Sequence, residues 1–194
     1  MSAWLAVGLG NPGERYESTR HNLGARVIER VAERLGERFR KARFLPVRVA
    51  EARAPDGQRL WLVRPMTFMN VSGPPVASFA RRHRIAPDHI VVCHDDIDLR
   101  FGTLLLKRGG STAGHRGLDS VCDSLHTKEF HRIRLGVGRP TGRKDAADHV
   151  LDSFSKRERE EIDVLVEDAA DALLVLIEEG LAVAQDRFNR RSAS

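Results

Sequence analysis

The sequence predicts the α/β fold class: a single domain of three α/β/α layers, in which helices cover both faces of a mixed, mostly parallel central sheet. Short apolar stretches typical of buried strands alternate with longer stretches of helical periodicity. The length of 194 residues favours one domain, 1–194, with a sizeable core rather than two. No internal repeat, low-complexity segment or linker interrupts this alternation.

The first third of the chain predicts a strand, a helix and two further extended segments. The strand is the apolar run 4–9, which ends in glycines. A helix follows from about residue 19, with Ser18 or Thr19 as the candidate N-cap. Its apolar positions recur at helical spacing and are Leu23, Val27, Ile28, Val31 and Leu35. Extended segments 44–52 and 59–65 follow, separated by a turn.

The rest of the chain continues the alternation. The predicted elements are, in order, a helix within 70–83, a strand at 89–96, a strand at 103–108, a glycine-rich loop at 109–117, a short helix at 118–125, a strand at 132–138 and a helical tail. The tail begins at a capping box of Ser155 and Glu158, and its long helix runs to Gly180. In such a sheet, ligands bind at the carboxyl ends of the strands.

Charge is distributed unevenly along the chain. The formal net charge is +5, but residues 100–144 carry ten Lys/Arg against three Asp/Glu, whereas residues 145–194 carry six against thirteen. A basic segment is typical of proteins with anionic partners, and solvated surface is the alternative interpretation. Cys93 and Cys122 lack metal-ligand spacing and fit a reduced, cytoplasmic protein. No run is apolar enough to predict a membrane span or signal peptide.

The glycines after the first strand resemble a phosphate-binding loop. Gly8, Gly10 and Gly13 fit G-x-G-x-x-G, but Pro12 and the polar residues after it delay the helix that should face the pyrophosphate. The loop at 109–117 likewise has P-loop glycine spacing, with His and Arg where Lys and Ser/Thr belong. Neither loop has the geometry of a nucleotide cradle.

Several polar residues at the predicted strand ends and helix start are suited to hydrolysis. His21 lies at the start of the predicted helix, whose dipole favours a neutral ring that accepts a proton. Asp95 and Asp96 end a strand and point to opposite faces, so one of them can orient the histidine. Asn11 or Asn70 can donate to a carbonyl or developing oxyanion. The structural alternative is that His21 caps its helix and the acids belong to a turn.

Five ordered blocks of the sequence resemble the signature motifs of bacterial peptidyl-tRNA hydrolase. They are GLGNPGERYESTRHNLG, RPMTFMNVSG, VVCHDDIDLRFG, KRGGSTAGHRGL and EFHRIRLGVGRP, and they cover residue 4 to about 140. The acidic helical tail is similar too. The resemblance implies a hydrolase that cleaves the ester between a peptide and the 3′-terminal ribose of tRNA, recycling tRNA that has left the ribosome. It implies no metal and no cofactor, and we expect a monomer.

The resemblance also implies roles for individual residues. It assigns the general base to His21, the acid that orients it to Asp95, and recognition of a blocked α-amino group to Asn11. The residues implied to bind the acceptor end and the peptide are Tyr16, Phe68, Met69, Asn70, His115 and Arg116. Lys107 and Arg134 correspond to residues that hold the tRNA 5′-phosphate. At Arg116 the usual family pattern has Asn, and a guanidinium can donate to the same oxygen or pair with a phosphate.

Two alternative functions remain open at this stage. Relatives with the same fold bind RNA without hydrolysing it, and Arg116 favours that alternative. A metal-dependent hydrolase is the other, with His94, Asp95, Asp96 and Asp98 as candidate ligands. A turnover assay distinguishes the RNA-binding alternative from the hydrolase. Activity that is insensitive to chelators would exclude the metal-dependent hydrolase.

Overall fold

The computed structural model describes residues 3–189, which form one seven-stranded mixed sheet with helices on both faces. The strands are β1 Trp4–Gly8, β2 Arg40–Lys41, β3 Val47–Arg53, β4 Arg59–Pro65, β5 Ile90–Asp96, β6 Leu104–Arg108 and β7 His131–Gly136. The helices are α1 Glu14–Glu17, α2 Leu23–Arg34, α3 Gly73–Arg82, α4 Arg116–Leu125, α5 Ala146–Val150, α6 Lys156–Glu179 and α7 Leu181–Phe188. Residues 1–2 and 190–194 of the predicted domain lie outside the described residues.

The order of the strands is β2-β3-β4-β1-β5-β7-β6. The central strands β4, β1, β5 and β7 are parallel to one another, whereas β2, β3 and β6 extend the sheet through antiparallel pairs. The four parallel strands therefore end at one edge of the sheet, and the segments that leave them meet there. The predicted fold class is confirmed.

Alternation along the strands divides the core into two layers. Ala6, Val91 and Ile133 face one layer, which α2, α6 and α7 cover. Leu5, Val92 and Phe130 face the other, which α3 and α4 cover. Both faces of the central strands are thus buried, which explains why β5 is buried over its whole length.

The helix that follows β1 differs in detail from the sequence prediction. A turn of 3₁₀-helix at Arg20–Asn22 precedes α2, so His21 lies just before the helix rather than in its first turn. Thr19 does not cap this turn, because its hydroxyl donates to the carbonyl of Tyr16 at 2.7 Å. A Cβ on Gly24 would lie 2.0 Å from the carbonyl oxygen of Cys93. Glycine is therefore required where α2 approaches β5.

Within residues 3–189, the helices are all too short or too polar to cross a lipid bilayer.

Candidate active site

A cavity of about 520 Å³ opens at the carboxyl ends of the parallel strands. It contains eight of the eleven residues predicted for the site, namely Asn11, His21, Phe68, Met69, Asn70, Asp95, His115 and Arg116. Those that follow β1 and β4 or end β5 meet here because these strands are parallel. His115 and Arg116 follow β6, which ends at the opposite edge of the sheet, and they reach the cavity through the loop 109–115. Val150 at the end of α5 and Leu151, the residue after it, also line the cavity.

His21 and Asp95 form the centre of this site. His21 Nδ1 lies 2.9 Å from Asp95 Oδ1 and 3.0 Å from Oδ2, and it is the donor because a carboxylate only accepts. The proton on Nδ1 leaves Nε2 as the basic nitrogen. Nε2 has no hydrogen-bond partner within residues 3–189, and His21 lines the cavity.

His115 holds the same carboxylate from the other side. Its Nε2 lies 2.9 Å from Asp95 Oδ1, while its Nδ1 accepts the backbone N–H groups of Gly117 at 3.1 Å and Leu118 at 3.2 Å. Because Nδ1 is an acceptor, the proton is on Nε2 and His115 donates to Asp95. His115 therefore caps α4 and fixes the acid, and it occupies two N–H groups that could otherwise face an oxyanion.

Burial and hydrogen bonding shift the pKa values of this cluster. Burial alone would raise the pKa of Asp95, but the two imidazoles hold it far below its usual range. For His21, burial lowers the pKa, yet the charge and hydrogen bond of Asp95 outweigh burial and raise it above 6.5. The expectation that the helix terminus keeps this ring neutral was therefore incomplete, because the carboxylate dominates.

Asn11 is held in one orientation by its neighbours. Its Oδ1 accepts the backbone N–H of Met69 at 2.8 Å. Asn22 pairs with the backbone of Asn11 in both directions, at 2.8 Å to the N–H and 2.9 Å to the carbonyl. The Nδ2 group of Asn11 has no partner within residues 3–189, so it is the donor left for a ligand in the cavity.

Three predicted site residues lie outside the cavity lining. Tyr16 is in α1, where its hydroxyl accepts from Arg15 at 2.6 Å. Arg134 is bound to Asp96 through an Nε–Oδ2 distance of 2.9 Å. Lys107 is partly exposed, and its pKa is lowered by burial and by the nearby charges of Arg134 and Arg132. Lys107 and Arg134 therefore lie close to each other and outside the cavity lining.

The ligand set of the metal-dependent alternative does not converge. The ring of His94 is buried and donates from Nδ1 to the carbonyl of Asp95 at 2.7 Å. Asp96 pairs with Arg134, and Asp98 pairs with Arg139. A different group, His21, Asp95 and His115, has ligand atoms within 4.8 Å of one another. These atoms bond to each other in a histidine–aspartate–histidine chain.

Two positioning residues were missed from the sequence. Asn22 orients Asn11, as described above. Arg20 is buried and donates to the carbonyl of Ser153 at 2.8 Å and to Glu158 at 2.8 Å. Its backbone N–H also donates to the carbonyl of Asp152 at 3.0 Å. Arg20 thereby joins the turn that carries His21 to the segment after α5 and to the start of α6. The adjacency of both residues to His21 was the available signal.

Known proteins match this chain over nearly its whole length. The family model of peptidyl-tRNA hydrolase matches residues 5–194. The peptidyl-tRNA hydrolase of Pseudarthrobacter chlorophenolicus is 48% identical over 187 residues, covering 96% of this chain and 95% of that protein. That of Mycobacterium tuberculosis is 48% identical over 185 residues, covering 95% and 96%. The crystal structure of peptidyl-tRNA hydrolase from Acinetobacter baumannii has a TM-score of 0.90 at 32% identity, covering 96% of this chain and 94% of that chain.

Proposed function

The chain belongs to the peptidyl-tRNA hydrolase family and hydrolyses the ester of peptidyl-tRNA, and we propose that His21 is the general base of this reaction. Nε2 of His21 takes a proton from water as the water oxygen attacks the ester carbonyl carbon. The bond from that carbon to the ribose oxygen then breaks, and the proton passes from Nε2 to the leaving oxygen. The products are a free carboxylic acid and a ribose hydroxyl.

The observation that carries this proposal is the bond between His21 Nδ1 and Asp95 at 2.9 Å, beside a cavity that Nε2 can face. Asp95 keeps the ring in the required tautomer and stabilises the imidazolium that forms. His115 holds the second side of Asp95, so the acid cannot turn away. Hydrolysis by this pair is favoured over the RNA-binding alternative, which needs no base.

Around this base we propose that the cavity receives the acceptor end of the tRNA and the first residues of the peptide. Asn11 Nδ2 donates to the peptide amide region, and Asn70 and Met69 line the path of the substrate, whereas Tyr16 lies outside the cavity lining. Phe68 is 56% exposed at the cavity, a suitable platform for stacking a terminal base. His115 and Arg116 line the same cavity at the start of α4.

We propose that Lys107 and Arg134 bind the 5′-phosphate of the tRNA. Their mutual proximity outside the cavity supports this role, because the 5′-phosphate is remote from the 3′-terminal ester. Arg134 Nε is held by Asp96, so its terminal nitrogens remain to donate to a phosphate.

We also propose that the enzyme acts as a one-domain monomer in the cytoplasm without a metal. One chain supplies the whole of the proposed site, which supports a monomer. Cys93 and Cys122 are both free, as in a reducing compartment. The histidine–aspartate pair supplies a base directly, so water activation needs no Lewis acid.

The function is tested with purified protein and N-acetyl-phenylalanyl-tRNA in water enriched in ¹⁸O, with EDTA present. We expect release of N-acetyl-phenylalanine that carries one ¹⁸O atom, and tRNA whose ribose hydroxyl carries none. Label in the tRNA would contradict attack at the carbonyl carbon, and loss of activity in EDTA would contradict metal independence. A heat-inactivated sample corrects for spontaneous ester hydrolysis.

A further inference from the structure

Arg116 stands out among the cavity residues because its charge is unpaired. It is the first residue of α4, it is exposed, and it lines the cavity together with His21 and Asn11. Within residues 3–189, its guanidinium forms neither a hydrogen bond nor an ion pair. Arg116 therefore places a cationic side chain on the wall of the site.

The other charges that face the cavity are mostly compensated. Asp95 is bonded by His21 and His115, and Asp96 by Arg134. Asp145, the residue before α5, also lines the cavity, and its Oδ1 accepts the backbone N–H of Ala147.

The charge of Arg116 reaches the reacting centre. Burial, the largest influence, lowers the pKa of His21, and Arg116 lowers it further, although Asp95 raises the pKa overall. A charged group bound beside His21 therefore feels the field of Arg116.

We propose that Arg116 is a specificity-determining residue, which rejects aminoacyl-tRNA by repelling its free α-ammonium group. This inference rests on the proposed function of the site. Peptidyl-tRNA and aminoacyl-tRNA share the ester, the ribose and the tRNA. They differ at the α-nitrogen, which is a neutral amide in the first and an ammonium group in the second.

Covalent geometry places that nitrogen within the field of Arg116. The α-nitrogen is separated from the ester carbonyl carbon by the α-carbon alone, so a substrate whose ester faces His21 holds its α-nitrogen inside the cavity. Asn11 recognises the same region through a hydrogen bond, which acts only at short range. Repulsion by Arg116 acts at longer range and disappears when the ammonium group loses its proton. The two contributions can therefore be separated by pH.

The test compares the wild type with Arg116→Gln and Arg116→Lys. For each protein, kcat/KM is measured with N-acetyl-phenylalanyl-tRNA and with phenylalanyl-tRNA, and the ratio of the two values is the readout. A free α-amino group has a pKa near 7.7–8.0, so measurements at about pH 6.5 and about pH 9 compare mainly charged and mainly neutral amines. Any change in the pKa of His21 affects both substrates alike and cancels in the ratio.

At about pH 6.5 we expect the ratio to fall roughly three- to thirtyfold in Arg116→Gln, the range for like charges about 8 Å apart at effective dielectric constants of about 60 to 20. Arg116→Lys keeps the charge and should keep most of the discrimination. At about pH 9 the ratios of Arg116→Gln and the wild type should converge. Asp145→Asn removes the opposing charge and should increase the ratio at the lower pH.

Three results would overturn the inference. Equal ratios in all three proteins at about pH 6.5 would show that Arg116 takes no part in discrimination. A loss of kcat/KM by the same factor for both substrates in Arg116→Gln would assign Arg116 to a phosphate contact. A ratio that falls equally at both pH values would assign it to hydrogen bonding. If the wild type cleaved neither substrate, the proposed function itself would fail, so the two failures are distinguishable.

Discussion

His21 Nδ1 lies within 3.0 Å of both carboxylate oxygens of Asp95, and this acid is in turn held by His115. The arrangement fixes which nitrogen of His21 carries a proton and which one is basic. It also raises the pKa of His21, so the pH dependence of the reaction reports on the contact directly.

The first prediction concerns Asp95→Asn. Burial lowers the pKa of His21 and Asp95 raises it to a net value above 6.5, so removing the anion should lower it. A base acts when deprotonated, so wild-type activity should fall as the pH drops through a midpoint above 6.5. In the variant, that acidic limb of kcat/KM should move to lower pH, and kcat should fall about tenfold to a hundredfold. Asp98→Asn, at an exposed acid just after β5, is the control. If kcat and the pH profile of kcat/KM were unchanged in Asp95→Asn, a role of Asp95 in the reaction would be contradicted.

The second prediction concerns Asn11→Asp. The new carboxylate can still accept the N–H of Met69, but its second oxygen replaces the Nδ2 donor with a negative charge. This charge should attract the free ammonium group of aminoacyl-tRNA, and the preference for N-acetyl-aminoacyl-tRNA should fall about tenfold or more. The ratio of kcat/KM values measures the change. If the variant were as selective as the wild type, residues other than Asn11 would be responsible for the selectivity.

The third prediction concerns the contact between Arg20 and Glu158. Glu158→Ala leaves the buried guanidinium with backbone carbonyls and the ring of Phe154, and it also removes the Glu158 half of the capping box at Ser155, so the free energy of unfolding should fall by about 1–3 kcal/mol. This loss of stability is smaller than the loss expected on breaking a fully buried ion pair, because 29% of the Glu158 side chain is exposed. We also expect kcat to fall, because Arg20 supports the turn of His21. Urea denaturation and kinetics measure both effects. Glu160→Ala, on the same helix, is the control, and equal losses in the two variants would refute the specific role of the contact.

The fourth prediction concerns Lys107 and Arg134. Lys107→Ala and Arg134→Ala should each raise KM for tRNA that carries a 5′-monophosphate while sparing kcat. Each substitution should also reduce, by roughly one unit, the slope of the logarithm of the binding constant plotted against the logarithm of the salt concentration. Most of the effect should vanish with dephosphorylated tRNA. The double variant should be less than additive, because both side chains would share one phosphate. Equal losses with both forms of tRNA would mean that these residues contact another part of the substrate.

Sequence periodicity was sufficient to predict most of the fold. Strands β1, β3 to β7 and helices α2, α3, α4 and α6 correspond to the predicted segments within a few residues. The four-residue helix α1, the two-residue strand β2 and the five-residue helix α5 were missed, because none of them is long enough to show a period. Arg132 is buried although it is charged, because it donates to the carbonyls of Gly110 and Ser111.

The members of the site that could be predicted are those whose residue type indicates their chemistry, such as a histidine and a carboxylate. The helix-start position of His21 and the strand-end positions of Asp95 and Asp96 indicated that one of these acids orients the histidine, and the family resemblance selected Asp95. Only Asp95 contacts His21, as expected from strand alternation. The roles of Asn22 and Arg20 could not be predicted, because each depends on backbone groups that folding brings near. Arg20 contacts residues more than 130 positions away.

The most direct test of the central claim is a single-turnover measurement on His21→Ala with N-acetyl-phenylalanyl-tRNA. Loss of the imidazole should slow ester cleavage at least about a hundredfold, the usual contribution of a positioned general base. Binding of the same substrate, measured by filter retention, should stay within a few-fold of the wild type, because the proposed contacts to tRNA are made by other residues. Near-normal cleavage by a folded His21→Ala protein would contradict the assignment of His21 as the base.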